Sequence, residues 1–446
     1  MPEVAAAPAQ HPPLETFYAA AAADEKVARP ALELLAQRWQ DGHAAMLVEL
    51  ARLMRGPGWR PGDPRERARA RLLSFLEKQT GQRLGSDLRR WRRWVWSLPY
   101  QPHPEYAALK ADLYGRIDPR MASFFTGPSA RIRLDEIDWG GVPVDGIPPL
   151  DHPKVSPAAQ ARGLGDKDVV FGVALGGEAR AYPKRILAWH ELARDRLGGV
   201  ELAVVYCTLC GTVIPYSAAV GGRSFTFGTS GLLYRSNKLM YDAETLSLWS
   251  SVEGRPVLGP LAGGTLELPF HPVVTTTWGE WRRRHPETSV LSFDTGHDRD
   301  YSEGAAYREY FATDALMFEV PHTDDRLANK AEVLTLLLDG PADARTPVAI
   351  EAAFLLRNRV FALRQSEHDL VVVTSPAGAN RVFDAGGHRF ELRGESVADE
   401  RGLSWTIEET ALIPNGRDEP ALRRVPARRA FWFGWVAQFP NTVLLK

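Results

Sequence analysis

The chain holds two cysteines, Cys207 and Cys210, and both lie in one short stretch, LAVVYCTLCGTVIPYS, from Leu202 to Ser217. Thiolates at Cys-x-x-Cys spacing can bind one soft ion, because a tight turn points both sulfurs the same way. Two cysteines cannot build a disulfide framework, and in a reducing compartment a lone Cys-x-x-Cys more often serves a metal or a redox reaction. Shortly before them, AYPKRILAWHELARD places His190 and Glu191 in a helix expected to pack on the cysteine strand. Cys207, Cys210 and His190 would give a three-ligand site with one position open to water or substrate. His271 and His285 are the alternative third ligands. A redox dithiol and a pair of unligated buried thiols remain the other two readings.

Neighbouring motifs narrow the chemistry. Zinc deaminases need His-x-Glu and Pro-Cys-x-x-Cys, whereas this chain has His190-Glu191 adjacent and Tyr206 before Cys207. A thioredoxin-like dithiol opens a helix, but Gly211 to Pro215 reads as a second strand. The Asp-Thr-Gly at Asp294 to Gly296 has no second copy to supply the other carboxylate of an aspartic protease. GTSGL around Ser230 is not a nucleophile elbow. Following the cysteines, SGLLYRSNKLMYDAETLSLWS brings Asn237, Tyr241 and Asp242 into range of a pocket, where they would orient a substrate. The plainer alternative makes Asp242 a turn residue and Trp249 core. No phosphate-binding glycine loop, dinucleotide fingerprint or calcium loop is present.

The elements that position these groups follow from the texture of the chain. Its 446 residues, 44% hydrophobic and 24% charged with a net charge of −1, describe an ordinary globular protein of two or three domains. That balance gives no reason to expect nucleic acid or an anionic membrane as partner. No apolar run reaches membrane-spanning length and the first residues lack a secretory pattern, so a cytoplasmic protein is expected. Residues 1–125 read as helical, with Leu32, Leu35 and Trp39 on one face and Met46, Leu50 and Leu53 on another. A helix starting at Ser86 or Asp87 interleaves arginines with Trp91, Trp94 and Trp96. Its expected role is to dock those tryptophans inward while the arginines stay in water.

From Ile132 onward, short β-rich runs alternate with Gly and Pro. This part repeats itself. TTTWGEWRRRHPETSVL recurs as RAFWFGWVAQFPNTVLL, which pairs Trp278 with Trp432, Trp281 with Trp435, Pro286 with Pro440 and Thr288 with Thr442. Trp249 matches Trp405, and the cysteine strand matches VVVTSPAGANRVFDAGGHRFEL, placing Cys207 and Cys210 opposite Thr374 and Ala377, and His190 opposite Phe354. Four matches in order point to a duplication. Residues common to both copies are scaffold; the metal-competent ones occur in the first.

The stretches DGIPPLDHPK, ARAYPKRILAWHE, VVYCTLCGT, FGTSGLLYRSNKLMYDAETLSLWS, GPLAGGTLELPFHPVVTTTWGEWRRRHPETSVLS and AFWFGWVAQFPNT resemble the bacterial family called domain of unknown function 3179. The resemblance runs from about Ile132 to the C-terminus. The family pattern usually reads Tyr-Cys-Pro-Leu-Cys, where this chain has Thr208. The resemblance implies no reaction.

The sequence therefore predicts an α+β protein: a helical N-terminal domain (1–125), a first repeat with the Cys-x-x-Cys site (126–310) and a second, degenerate repeat (311–446), related by pseudo-twofold symmetry. The favoured function is a metal-dependent enzyme, a copper-dependent oxidoreductase acting on a small organic molecule at Cys207, Cys210 and His190. Bis-thiolate ligation favours copper over zinc. A metal carrier without turnover, and a zinc site of hydrolytic or structural role, are the alternatives.

Overall fold

A computed structural model of the chain describes residues 11–54, 62–127, 129–340, 344–416 and 419–446. Residues 1–10, expected to lack a secretory pattern, and the Gly/Pro break at 55–61 lie outside them. The fold is α+β, and it forms two compact units: Met1–Trp139 with Val257–Gly263, and Gly140–Pro256 with Gly264–Lys446. No described helix is long and apolar enough to cross a membrane.

The first unit is helical: α1 (Leu14–Ala20), α2 (Glu25–Gln37), α3 (Gly42–Leu53), α4 (Pro64–Thr80), α5 (Leu88–Ser97), α6 (Tyr106–Gly115) and α7 (Pro119–Phe124). Aspartates cap α2, α4, α5 and α7, each accepting a backbone N–H of the first turn that the helix itself leaves unpaired. Helix α5 buries Trp91, Val95 and Trp96 as expected, but Arg92 is buried with them. Its guanidinium stacks on Trp96 and pairs with Asp138 at 2.9 Å. The expectation that every arginine of this helix stays in water fails there, because a buried carboxylate waits for it. Arg52 bonds the same Asp138, and Lys110 meets Glu49 at 3.1 Å.

This network ties the unit's stability to acid. Burial opposes ionisation of Asp138, yet Arg52 and Arg92 outweigh it and hold the carboxyl at about 2, below its ordinary 3.8. A depressed carboxyl contributes stability that is complete above its unfolded value and is lost as pH falls through its folded one. Asp138 should therefore contribute about 2 kcal/mol that disappears between pH 4 and pH 2. Urea denaturation across that range, compared with Asp138→Asn, tests it: the variant should lose stability at pH 6 and show a flatter acid limb.

The second unit is β-rich. A five-stranded sheet runs Val274–Thr277, Val169–Leu175, Glu178–Pro183, Ser289–Leu291, Val155–Pro157. Helix α8 (Lys184–His190) follows its third strand, and α9 (Trp278–Arg284) follows Val274–Thr277. A four-stranded sheet runs Leu150–Asp151, Leu192–Leu197, Val200–Cys207, Thr212–Ser217. Covered on both faces, the strand Val200–Cys207 is a continuous apolar run rather than an alternating one. Another four-stranded sheet runs Arg428–Phe431, Glu332–Asp339, Arg345–Glu351, Val443–Leu445, with α11 (Ala352–Arg357) and α12 (Trp432–Gln438) beside it. The short helix α10 (Arg308–Phe311) lies in sequence between α9 and α11. Strands Val360–Gln365, His368–Thr374 and Asn380–Asp384 begin an eight-stranded sheet that ends in Ser404–Ile407, Ser396–Asp399 and Phe390–Arg393.

Candidate functional site

Cys207 ends its strand, and residues 208–211 turn the chain back into Thr212–Ser217, with Cys207 and Thr212 facing each other across the ladder. The turn is closed by Cys210 N–H to the Cys207 carbonyl at 3.1 Å, and Gly211 supplies the left-handed backbone (φ 61°) that finishes it. Proline at position 208 is therefore not needed to make the two thiols converge. Cys210 Sγ donates to the Ser236 carbonyl at 3.2 Å. Both are free thiols and both are buried, in a cluster with Leu209, Leu233 and Tyr310. Helix α12 closes one side: a Cβ at Gly434 would lie 3.0 Å from Cys210 Cβ, so any larger residue there would press on the thiol turn.

The dithiol sits beside a buried ion pair. Glu191 Oε2 accepts from Lys238 Nζ at 2.8 Å, and Tyr307 donates its hydroxyl to Glu191 Oε1 at 3.4 Å. Burial first, then Cys207 and the charge on Glu191, push the Cys210 thiol well above its ordinary value, so it rests protonated. Tyr310 bonds the Leu209 carbonyl at 2.8 Å and anchors the turn from outside. Four residues around the thiols hold left-handed backbone without being glycine: Glu191 (φ 57°), Arg235 (φ 49°), Ser236 (φ 63°) and Tyr307 (φ 57°). Such conformations cost of order 1 kcal/mol each and persist only where surrounding structure imposes them, commonly at functional sites. A cavity of about 160 Å³ adjoins the turn, lined by Tyr206, Gly211, Thr276, Glu332 and Arg429 among others. The Tyr206 hydroxyl and Thr276 Oγ1 are buried there without a protein partner.

The other residues singled out from sequence take different places. His190 is buried, donates through Nδ1 to the Pro148 carbonyl at 2.8 Å and accepts at Nε2 from the Tyr301 hydroxyl at 2.5 Å. Burial, with His297 adding to it, lowers His190 to about 4, so it is a neutral imidazole with both nitrogens engaged. His271 bonds Ser217 and His285 faces Glu409. Asn237 links the Arg235 and Gly434 carbonyls, so it fastens the hairpin next to the thiols onto α12. Tyr241 bonds Asp145 at 2.6 Å. Asp242 is fully buried and accepts from Thr245 and from Trp249 Nε1, a turn cap with its oxygens engaged. Glu191, Lys238, Tyr307 and Tyr310 complete the setting of the thiols. Glu191 was visible beside His190, but nothing in the spacing marked Lys238 or the two tyrosines.

Among the described residues, the group of three close enough to share an ion is His11, His43 and His103 in the helical unit, with ligand atoms within 4.8 Å of one another. Its hydrogen bonds point elsewhere. The Gln40 N–H reaches His43 Nδ1 at 3.3 Å and the Glu105 N–H reaches His103 Nδ1 at 3.1 Å. Both rings therefore carry their proton on Nε2, where His103 donates to the Pro12 carbonyl at 2.9 Å and His43 to His11 at 3.4 Å. The Nδ1 lone pairs of His43 and His103 are thus spent on backbone N–H groups at the starts of α3 and α6, while their Nε2 protons hold the segment that enters α1.

Two buried thiols should react slowly. Iodoacetamide at pH 7 should label native Cys207 and Cys210 at least tenfold more slowly than the urea-unfolded chain, with the native rate rising toward pH 9. Equal rates in the two states would contradict the burial described.

No curated protein and no solved structure matches the chain. A family model described as Protein of unknown function (DUF3179) matches residues 144–442, which takes in the cysteine turn, the Glu191–Lys238 pair and α12. The chain belongs to the DUF3179 family.

Proposed function

We propose that Cys207 and Cys210 form the reactive centre of a copper-dependent oxidoreductase that acts on a small organic molecule. The observation that carries this reading is the setting of the dithiol: a buried Glu191–Lys238 pair, with left-handed non-glycine backbone at Glu191, at Arg235 and Ser236, and at Tyr307. Nature of the donors selects the ion. Soft thiolates favour Cu(I), which accepts a two-sulfur site, whereas a structural zinc site closes with four ligands. Cys207 and Cys210 would hold the ion; the engaged nitrogens of His190 supply no support for it as third ligand. Copper, when bound, would supply one-electron and oxygen chemistry. The chain's own part is to exclude water around the thiols and to hold Glu191 in place through Lys238. The thiol protons must leave on metal binding. A thioredoxin-like exchange with other proteins is disfavoured by burial and by the raised Cys210 thiol.

We also infer that the second unit arose by duplication. In both halves a hairpin is flanked by an antiparallel strand on one edge and a parallel one on the other: Val169–Leu175 and Glu178–Pro183 in the first, Glu332–Asp339 and Arg345–Glu351 in the second. Trp249 Nε1 bonds Asp242 as Trp405 Nε1 bonds Asp399. The Tyr206 N–H meets the Glu191 carbonyl as the Thr374 N–H meets that of Arg359. Cys210 N–H closes on Cys207 as Gly378 N–H closes on Ser375. These bonds pair Cys207 with Ser375 and Cys210 with Gly378, one residue beyond the Thr374 and Ala377 expected from sequence. Runs of valine align equally well after a slip of one, and backbone hydrogen bonds do not.

Elemental analysis of the purified protein beside Cys207→Ser, Cys210→Ser and His190→Ala tests the copper reading. Near-stoichiometric copper that both serine variants lose and His190→Ala keeps, with oxygen consumption following the copper, is the expected result. Zinc with the same dependence, or copper without turnover, would overturn the oxidoreductase; no metal would overturn the centre altogether.

A further inference from the structure

The position that mirrors the dithiol is not filled. A cavity of about 1110 Å³ opens at the Ser375 turn, lined by Arg284, Arg359, Arg381, Glu280, Ser375 and Glu395 among others. On the duplication reading above, Arg359 occupies the place of Glu191 and Ser375 that of Cys207. Counting back from the capping aspartates, Asp242 and Asp399, the place of Lys238 falls on Glu395, at the tip of a shorter hairpin. Glu280 takes the place of Gly434, following the match of Trp278 with Trp432. The charges of the first site are thus reversed in the second, and the helix that presses on the turn brings a side chain where α12 brings none.

The charge around this cavity is unbalanced, and this holds whatever the origin of the two halves. Its wall carries Arg283, Arg284, Arg359 and Arg381 against Glu280 and Glu395. Behind it, one buried carboxylate, Glu409, serves Arg381 at 2.6 Å, Arg424 at 3.4 Å and Arg284 at 3.7 Å, with His285 at 3.4 Å. Burial, reinforced by Arg381, lowers Arg424 to about 10 despite Glu409. Glu280 gives one oxygen to the Ser375 hydroxyl at 2.7 Å and lies 3.9 Å from Arg381. Its other oxygen and Arg284 Nε are buried without a hydrogen-bond partner. Arg359 is held through Nε by the Thr374 carbonyl at 3.0 Å, which fixes its guanidinium at the cavity. Guanidiniums fixed by backbone contacts and short of carboxylates are suited to bidentate recognition of planar or tetrahedral anions.

We propose that this cavity binds a small molecule bearing at least two anionic groups, carboxylate or phosphate, through Arg284 and Arg359. Calorimetric titration of the full chain with citrate and with pyrophosphate, at low and high salt, tests it. One of the two should bind with 1:1 stoichiometry, and which one separates carboxylate from phosphate recognition. Arg359→Gln and Arg284→Gln should each weaken that binding at least tenfold, while Cys207→Ser leaves it unchanged. Circular dichroism melting of each variant checks its fold, and the more exposed Arg283→Gln gives a third variant should Arg284→Gln fail to fold. Absence of binding by both probes, or binding unaffected in folded Arg359→Gln, would overturn the proposal. Loss of copper dependence in the cysteine variants would leave it standing.

Discussion

Two thiols and an ion pair are buried together in this chain, and the ion pair is the costly burial. A carboxylate taken out of water costs several kcal/mol unless its partner is close and well placed, and Lys238 meets that need for Glu191 at 2.8 Å. The surrounding architecture follows from this constraint. The Glu191 backbone is turned left-handed at the end of α8, the Arg235–Ser236 turn brings Lys238 across, and Gly434 lets α12 come close enough to seal Cys210. Asn237 then bolts that hairpin to α12 through the Gly434 carbonyl. Strain in four backbone positions is maintained by a packed β-rich core on every side.

A buried dithiol of this kind is poorly suited to exchange with another protein and well suited to hold something small. The adjoining cavity of about 160 Å³ is of that scale, and its unpartnered Tyr206 hydroxyl gives it a polar wall. The turn at Ser375 in the same unit closes in the same way and carries no sulfur. Where the first half gathers thiols and a carboxylate, the second gathers guanidiniums around a larger opening. In the proposed reading, one scaffold carries two chemically opposite sites: one for a soft ion and one for a hard anion.

Much of this was legible in the sequence for definite reasons. The N-terminal helices announce themselves by apolar periodicity and by aspartate caps such as Asp24 and Asp87. The cysteine turn is readable because a strand run leads directly into Cys-x-x-Cys. Trp249, Trp278, Trp281, Trp405, Trp432 and Trp435 stand out in the sequence, and all of them are buried core residues. Other features are three-dimensional. Lys238 lies far along the chain from Glu191 and joins it only through the fold of a hairpin. His190 has the right neighbourhood in sequence, but its ring is claimed by Pro148 and Tyr301. Arg92 sits among exposed arginines in a pattern that spacing alone assigns to solvent, and a distant aspartate draws it inward.

The account turns on what the two sulfurs hold and how many other atoms join them. X-ray absorption at the copper edge of the protein reconstituted with Cu(I) measures this directly. It should show two sulfur scatterers and no imidazole, unchanged in His190→Ala. A spectrum dominated by nitrogen, or one that persists in Cys207→Ser with Cys210→Ser, would contradict a dithiol centre.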